Sequence, residues 1–368
     1  MKLYTNINNN YKHIYRIRLI ITAIFLIMSA FALTSCTNSK QQHDSSYNSQ
    51  HLSDNPSDNN QNTQEIFAMD TYMTLTAYGD NAKSAVDKAI DEIKRLDAMF
   101  SVGNTESDVT KLNANGSGTV SDETAFIINK AMQVSKETRG AFDITIYPLM
   151  ELWGFTTKNY RVPDAGEIAD VLKTVSYTNV AVNGSKVELY GNASIDLGGI
   201  AKGYTSSRVI DIFKENGIEH AMINLGGNVQ VLGSKLDGSS WRVAIQNPDN
   251  DNSYLGVLNV KDKAVITSGG YERYFKQDGQ VYHHIIDPAT GYPSESELTS
   301  VTIVCSDGTT ADALSTALFV MGLDGAKKMY KEGTIDFDMI LFDGKTVYVS
   351  DGIADEFSTD KEKVIISK

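Results

Sequence analysis

The chain predicts an α+β fold, and three observations carry that expectation. Helical and strand signals are interspersed along the sequence, without the regular strand-helix-strand alternation of a doubly wound sheet. Asn183-Gly184 and Asp343-Gly344 each separate short apolar runs, which is the signature of a tight antiparallel hairpin. No G-x-G-x-x-G fingerprint and no G-x-x-x-x-G-K-[ST] loop occurs, which argues against Rossmann and P-loop architectures. At 368 residues the length allows two average domains or one larger α+β domain; the motifs below span one domain over 65–368.

The first element is a secretory signal over 1–35. Lys12, Arg16 and Arg18 precede the apolar run Leu19 to Met28, which ends in Leu33-Thr34-Ser35-Cys36, a lipobox pattern. Cys36 is therefore the expected lipidation site. The alternative, an uncleaved anchor, is disfavoured because the run is shorter than the roughly 20 residues a span needs. From 36 to 64 the chain is rich in Asn, Ser, Asp, Gln and His, too polar to bury a core, so a lipidated, disordered tether is expected. As a flexible coil of roughly 28 residues it would reach on the order of 30 Å.

Tyr72 to Tyr78 alternates as a strand, and Asn81 to Phe100 places Ala82, Ala85, Val86, Ala89, Ile90, Ile93, Leu96 and Phe100 at helical spacing. A second helix is expected over 122–138, stopped by Gly140. Val180 to Val182 and Val187 to Tyr190 form a hairpin, a helix follows Gly199 over 201–216, and five β-like runs lie between Ala221 and Thr267. Helices are expected over 311–322 and 325–331, and a closing hairpin over 339–349.

The net charge of −13 becomes more negative once the basic, acid-free leader is removed. An acidic surface repels nucleic acid, so no nucleic-acid partner is expected. It also gives no electrostatic hold on anionic lipid, leaving an acyl anchor to bind the membrane. Cys305 follows the apolar run Val301 to Val304 and reads as a small buried hydrophobe.

Three segments carry chemistry. In Thr310-Ala311-Asp312-Ala313-Leu314-Ser315-Thr316, Asp312 and Thr316 share one helix face and supply half of a hard-cation site. Taken alone, the same pair equally suits a carboxylate at a helix start and a hydroxyl bonding back along the helix. Ile195-Asp196-Leu197-Gly198-Gly199-Ile200-Ala201-Lys202-Gly203 brings an acid, two glycines where a ligand can approach backbone, and a helix start that favours phosphate. Lys202 could neutralise pyrophosphate or lie solvated on its helix. His283-His284-Ile285-Ile286-Asp287-Pro288 offers a base beside an acid that could orient it, with the two imidazoles on opposite sides of a strand.

In this order the three segments resemble the FAD:protein FMN transferase family. The likeness extends to Phe67-Ala68-Met69-Asp70-Thr71, Gly140-Ala141-Phe142-Asp143, Leu152-Trp153-Gly154-Phe155 and Asn224-Leu225-Gly226-Gly227-Asn228, from about residue 65 to 350. The resemblance implies a magnesium site from Asp312, Thr316 and the carbonyl of Gly199. It implies contacts to FAD from Met69, Ala141, Phe142, Asp143, Asp196, Lys202 and Ile286, and a general base at His284. The implied reaction is attack by a Thr or Ser hydroxyl of an acceptor protein on the FMN phosphorus of FAD, releasing AMP. Acceptors would be flavoproteins of extracytoplasmic or membrane redox systems, met by an enzyme lipid-anchored on the outer side of the membrane. FAD hydrolysis to FMN and AMP, or non-catalytic flavin binding, are the alternatives. One departure is Gly103, where the family commonly has a flavin-stacking aromatic; Tyr72, Tyr271 and Tyr274 are candidate substitutes.

Overall fold

The computed structural model describes residues 60–250 and 252–368. The expected signal peptide, Cys36 and nearly all of the tether lie outside the described residues. Strand β1 (Gln61–Ala68) begins inside the stretch expected as tether. It was hidden by its polarity. As an edge strand it pairs, among the described residues, only with β2 (Thr71–Tyr78), and its side chains alternate between exposed and half-buried positions up to the buried Ala68, so polar residues complete the ladder without entering the core.

The architecture is α+β. A nine-stranded sheet runs β1, β2, β6 (His220–Leu225), β7 (Asn228–Leu232), β10 (Ala264–Ser268), β13 (Ser300–Cys305), β14 (Asp338–Phe342), β15 (Thr346–Ser350) and β17 (Glu362–Ile366). Every pairing is antiparallel except β15 with β17. A three-stranded sheet runs β16 (Phe357–Ser358), β9 (Tyr254–Val260) and β8 (Trp241–Gln246). Smaller pieces are β3 (Ser117–Thr119), β5 (Lys186–Leu189) and β4 (Val180–Asn183), and the ribbon β11 (Tyr274–Gln277) with β12 (Gln280–His283).

Alternation along β10 shows how the layers separate. Ala264 and Ile266 pack with Leu314, Ala317 and Leu318 of a helix, whereas Val265 packs with Trp241, Val243 and Ile245 of the small sheet; the period of two sends neighbours to opposite faces. The helical layer contains α1 (Ala82–Phe100), α6 (Ala201–Glu215) and α7 (Gly308–Glu332). Helix α1 buries Ala85, Val86, Ala89 and Ile93 against Leu75, Ile223 and Phe213, and each fully buried large side chain contributes roughly 1.5–3 kcal/mol. Cys305, the last residue of β13, is buried beneath these helices, and burial pushes its thiol up to about 11, as expected of an inert hydrophobe.

Helix α3 (Asp122–Glu137) forms where periodicity predicts it, with Ser121 as N-cap accepting from the Thr124 N–H. Three short helices carry too few turns for a periodic signal: α2 (Asp108–Asn115), α4 (Tyr147–Leu152) and α5 (Ala165–Leu172). The two helices expected near the C-terminus are one element, α7, broken at Gly322 with φ 69°. There the Glu297 carboxylate accepts from the Leu323 N–H, replacing the interrupted backbone bond. Among the described residues no helix is long and apolar enough to cross a membrane.

Helices α6 and α7 meet with backbone against backbone. A Cβ on Gly203 would stand 2.1 Å from the Gly308 carbonyl oxygen and 2.5 Å from Asp312 Cβ. The reciprocal Cβ on Gly308 would lie 2.7 Å from the Gly203 carbonyl. Gly203→Ala should therefore destabilise the protein by about 1–3 kcal/mol through overpacking, despite the helix propensity gained. Urea denaturation measures it, and a midpoint equal to or above that of the unaltered protein would contradict this packing.

Candidate active site

A cavity of about 770 Å³ opens where the β1–β2 turn, the β6–β7 turn and the starts of α6 and α7 converge. Its wall includes Met69, Ala141, Phe142, Asp143, Asp196, Gly199, Lys202, His284, Ile286, Asp312 and Thr316. The residues for which the resemblance implied FAD contacts, metal ligation or the general base are thus brought to one place. The volume falls within the about 300–1,000 Å³ usual for cofactor-sized ligands.

Asp312 is anchored from three directions. Its Oδ2 accepts from the Gly203 N–H at 2.8 Å, its Oδ1 accepts from Asn228 Nδ2 at 3.0 Å, and Lys202 Nζ lies 4.0 Å from Oδ1. No side chain of its own caps α6, so the carboxylate of α7 caps it from outside. The start of α7 is capped instead by Asp307, which accepts from the Thr309 N–H. The bland reading, in which Asp312 stabilises its own helix start, therefore does not hold. Nor does Thr316 account for the bond back to Asp312: Ser315 Oγ donates to that carbonyl, and Thr316 Oγ1 meets Ser268 Oγ at 3.4 Å.

Gly199 lies between Thr316 and the Phe142 ring. A Cβ there would be 3.0 Å from Phe142 and 4.0 Å from Thr316 Oγ1, so glycine keeps backbone accessible beside the hydroxyl. Among the described residues no group of three or more His, Cys, Asp or Glu could hold a metal. One carboxylate, one hydroxyl and the neighbouring Gly199 backbone nevertheless suit magnesium, which completes its shell with water and phosphate. Each Asp312 oxygen keeps lone-pair capacity beyond its one hydrogen bond.

The two hairpin turns interlock at the cavity end. Met69 and Asp70 occupy a two-residue turn with φ 48° and 60°, and Gly226 and Gly227 another with φ 63° and 96°. A Cβ on Gly226 would stand 2.1 Å from Thr71 Oγ1. Asp143 faces the protein with its oxygens: Oδ1 accepts from the Thr145 N–H and hydroxyl, and Oδ2 from the Tyr177 N–H. It shapes the loop that presents Ala141 and Phe142. Asp196 Oδ1 accepts from the Gly198 N–H, and burial raises its pKa.

Gly103 is not on this wall, and of the three candidate substitutes only Tyr271 is. Tyr72 is exposed and edge-on to Phe67, and Tyr274 lies on the β11–β12 ribbon under Lys276. Sequence reading missed Tyr160. Its ring stacks on Phe275 at 5.2 Å and 10°, meets the edge of Phe155 at 5.6 Å, and lines the cavity.

His284 stands just past the end of β12, with its imidazole on the cavity wall. His283 points elsewhere, with its ring against Phe319 and Nε2 near the Ser294 carbonyl. The orienting group for His284 is not Asp287, whose Oδ1 accepts from the Ala289 N–H within its own turn. It is the Arg273 carbonyl, 3.2 Å from His284 Nδ1. A carbonyl only accepts, so Nδ1 carries the proton and Nε2 keeps its lone pair. Desolvation, then the Arg273 charge, hold His284 down at about 3, so it is neutral at physiological pH. Glu272, also missed, lines the cavity; desolvation pushes it up to about 7, Lys202 opposes the rise, and Asp312 adds to it. Its only sequence signal was a charged pair, Glu272-Arg273, inside an aromatic loop.

The ApbE family model matches residues 69–341. A FAD:protein FMN transferase of Klebsiella pneumoniae (strain 342) is 34% identical over 276 residues, covering 73% of this chain and 85% of that protein. One of Vibrio cholerae serotype O1 is 32% identical over 297 residues, covering 78% and 85%. Among solved structures, the ApbE protein of Thermotoga maritima superposes with a TM-score of 0.76 at 36% identity, over 80% of this chain and 99% of that one. The flavin transferase ApbE of Vibrio cholerae gives 0.72 at 28% identity, over 80% and 99%.

Two pH effects follow from these environments. Because desolvation holds His284 down at about 3, its ring-proton resonances should not titrate between pH 8 and 5; a midpoint near 6.5 would show that solvent in the cavity relieves that desolvation. Glu272 gains a negative charge as pH rises through about 7, next to Asp312. A divalent cation held at Asp312 should therefore be bound more tightly across that interval, as calorimetry with magnesium would measure, and Glu272→Gln should flatten the change.

Proposed function

The chain belongs to the ApbE family, and from that premise we propose that it transfers FMN from FAD to a Thr or Ser hydroxyl of an acceptor protein. What carries the reading is the convergence in one cavity of the anchored Asp312–Thr316 pair, the Gly199 backbone and an imidazole with its Nε2 lone pair unprotonated. FAD is the substrate. The flat isoalloxazine suits the wall formed by Phe142, Met69 and Tyr160, and the pyrophosphate suits the end where Lys202 and the N-terminus of α6 lie.

A magnesium ion held by Asp312, Thr316 and the Gly199 carbonyl would neutralise charge on the pyrophosphate. Lys202, 4.0 Å from Asp312, adds a fixed positive charge on the same side. His284 Nε2 takes the proton from the acceptor hydroxyl as its oxygen bonds to the FMN phosphorus. The bond from that phosphorus to the bridging oxygen breaks, and AMP leaves with the electron pair. The Arg273 carbonyl holds the Nδ1 proton and so fixes the tautomer throughout. Lipidation at Cys36 would place this reaction at the membrane, on the extracytoplasmic side, within reach of acceptors in redox systems there; Cys36→Ala should release the protein from membranes or block its maturation while soluble activity persists, as fractionation would show.

Two substitutions separate the roles. Asp312→Asn should abolish magnesium-dependent AMP release from FAD, read by chromatography; turnover equal to that of the unaltered enzyme would remove Asp312 from the metal site. His284→Asn should bind FAD with near-normal affinity by fluorescence quenching, while transfer, read as covalent flavin fluorescence on a denaturing gel, falls by about 10² to 10⁴. Loss of FAD binding would instead assign His284 to the substrate pocket.

A further inference from the structure

Strand β8 ends its sheet: among the described residues it pairs with β9 on one side and with no strand on the other. Its register shows which backbone groups face the open side. The Asn259 N–H donates to the Glu356 carbonyl, so the Asn259 backbone faces away from β8. Asn259 stands opposite Arg242, and Val257 opposite Ala244. In an antiparallel ladder opposed residues either exchange both bonds or turn both pairs of groups outward. The N–H and C=O of Arg242 and Ala244 therefore point to the open edge. Natural sheets usually blunt such an edge with charge, proline or a covering element; Trp241 to Gln246 carries one charged residue and no proline.

Beneath this edge lies a second cavity of about 350 Å³, walled by Val229, Val243, Ile245 and Val265 with Tyr254 at its rim. It shares Gly227, Gln246, Thr267, Tyr271 and Glu272 with the larger cavity. Gly227 keeps the junction open, since a Cβ there would meet nothing within 4 Å. A chain laid along β8 would thus send alternate side chains into the smaller cavity and pass into the larger one at Gln246.

We propose that β8 is the docking strand for the acceptor protein, which adds an extended segment to this edge by β-augmentation. Main-chain bonds to Arg242 and Ala244 hold the segment in register. An apolar side chain of the acceptor fills the smaller cavity, and a Ser or Thr further along enters the larger one. This inference rests on the transfer reading of the larger cavity and adds how the acceptor is selected.

The test uses an acceptor protein produced in cells lacking any flavin transferase, so that it carries no FMN. Ala244→Pro removes one outward N–H from an edge where proline is tolerated. KM for the acceptor should rise at least tenfold, while FAD affinity and acceptor-independent AMP release stay unchanged. In the unaltered enzyme, an acceptor whose target Ser or Thr is replaced by Ala should slow amide hydrogen exchange at Arg242 and Ala244. This second measurement decides the matter if Ala244→Pro also impairs FAD handling. Unchanged acceptor KM with normal FAD handling, or no slowing of exchange at β8, overturns the docking strand. AMP release from FAD with no flavin ever joined to the acceptor is a different result: it overturns the transfer reading, and the docking strand with it.

Discussion

The close contact of α6 with α7 at Gly203 and Gly308 is the constraint on which the site depends. With no side chain between the two backbones, the Asp312 carboxylate reaches the Gly203 N–H at 2.8 Å and replaces the missing cap of α6. One interaction therefore satisfies an orphan donor, fixes the helix crossing and presents a charged oxygen pair to the cavity. Asn228 at the start of β7 completes the anchor, so the main sheet and both helices fix the same carboxylate. A ligand group held in this way needs little reorganisation to act.

Around that anchor the cavity separates charged from neutral groups. Asp312 and Lys202 lie together at the α6 end. His284 is kept uncharged by desolvation. A neutral imidazole whose Nδ1 proton is held by a carbonyl keeps its Nε2 lone pair for a second proton, and the desolvation that keeps it neutral has to be offset by the negative charge of the bound pyrophosphate when it takes one. The same loop, 271–273, supplies Tyr271, Glu272 and the Arg273 carbonyl to the cavity. Arg273 Nη2 in turn donates to the Phe155 carbonyl at 2.8 Å, tying this loop to the aromatic cluster of Phe155, Tyr160 and Phe275.

Much of the fold was legible because long amphipathic helices and tight hairpins write their period into the sequence. Helix α1 and the hairpins at Gly184 and Gly344 formed where periodicity and turn chemistry placed them. The short helices α2, α4 and α5 and the polar edge strand β1 were not legible, since fewer than three turns or a half-exposed ladder leaves little pattern. The site was legible where chemistry sits in compact motifs, as at Asp312–Thr316 and Asp196–Lys202. It was illegible where function comes from a backbone carbonyl, as at Arg273, or from a ring whose neighbours are distant in sequence, as at Tyr160.

By itself the sequence determined the α+β class, the resemblance to a flavin-transferring family, and which residue types could bind a cation, approach a pyrophosphate and accept a proton. Those properties depend on local spacing and composition, which the chain carries before it folds. Only the tertiary structure decided that Asp312 caps a neighbouring helix, that Arg273 and not Asp287 orients His284, and that β8, among the described residues, leaves an edge open beside the site. Each of these depends on which distant segments pack together, and packing is settled by burial and close backbone contact across the whole domain, which local sequence pattern does not encode.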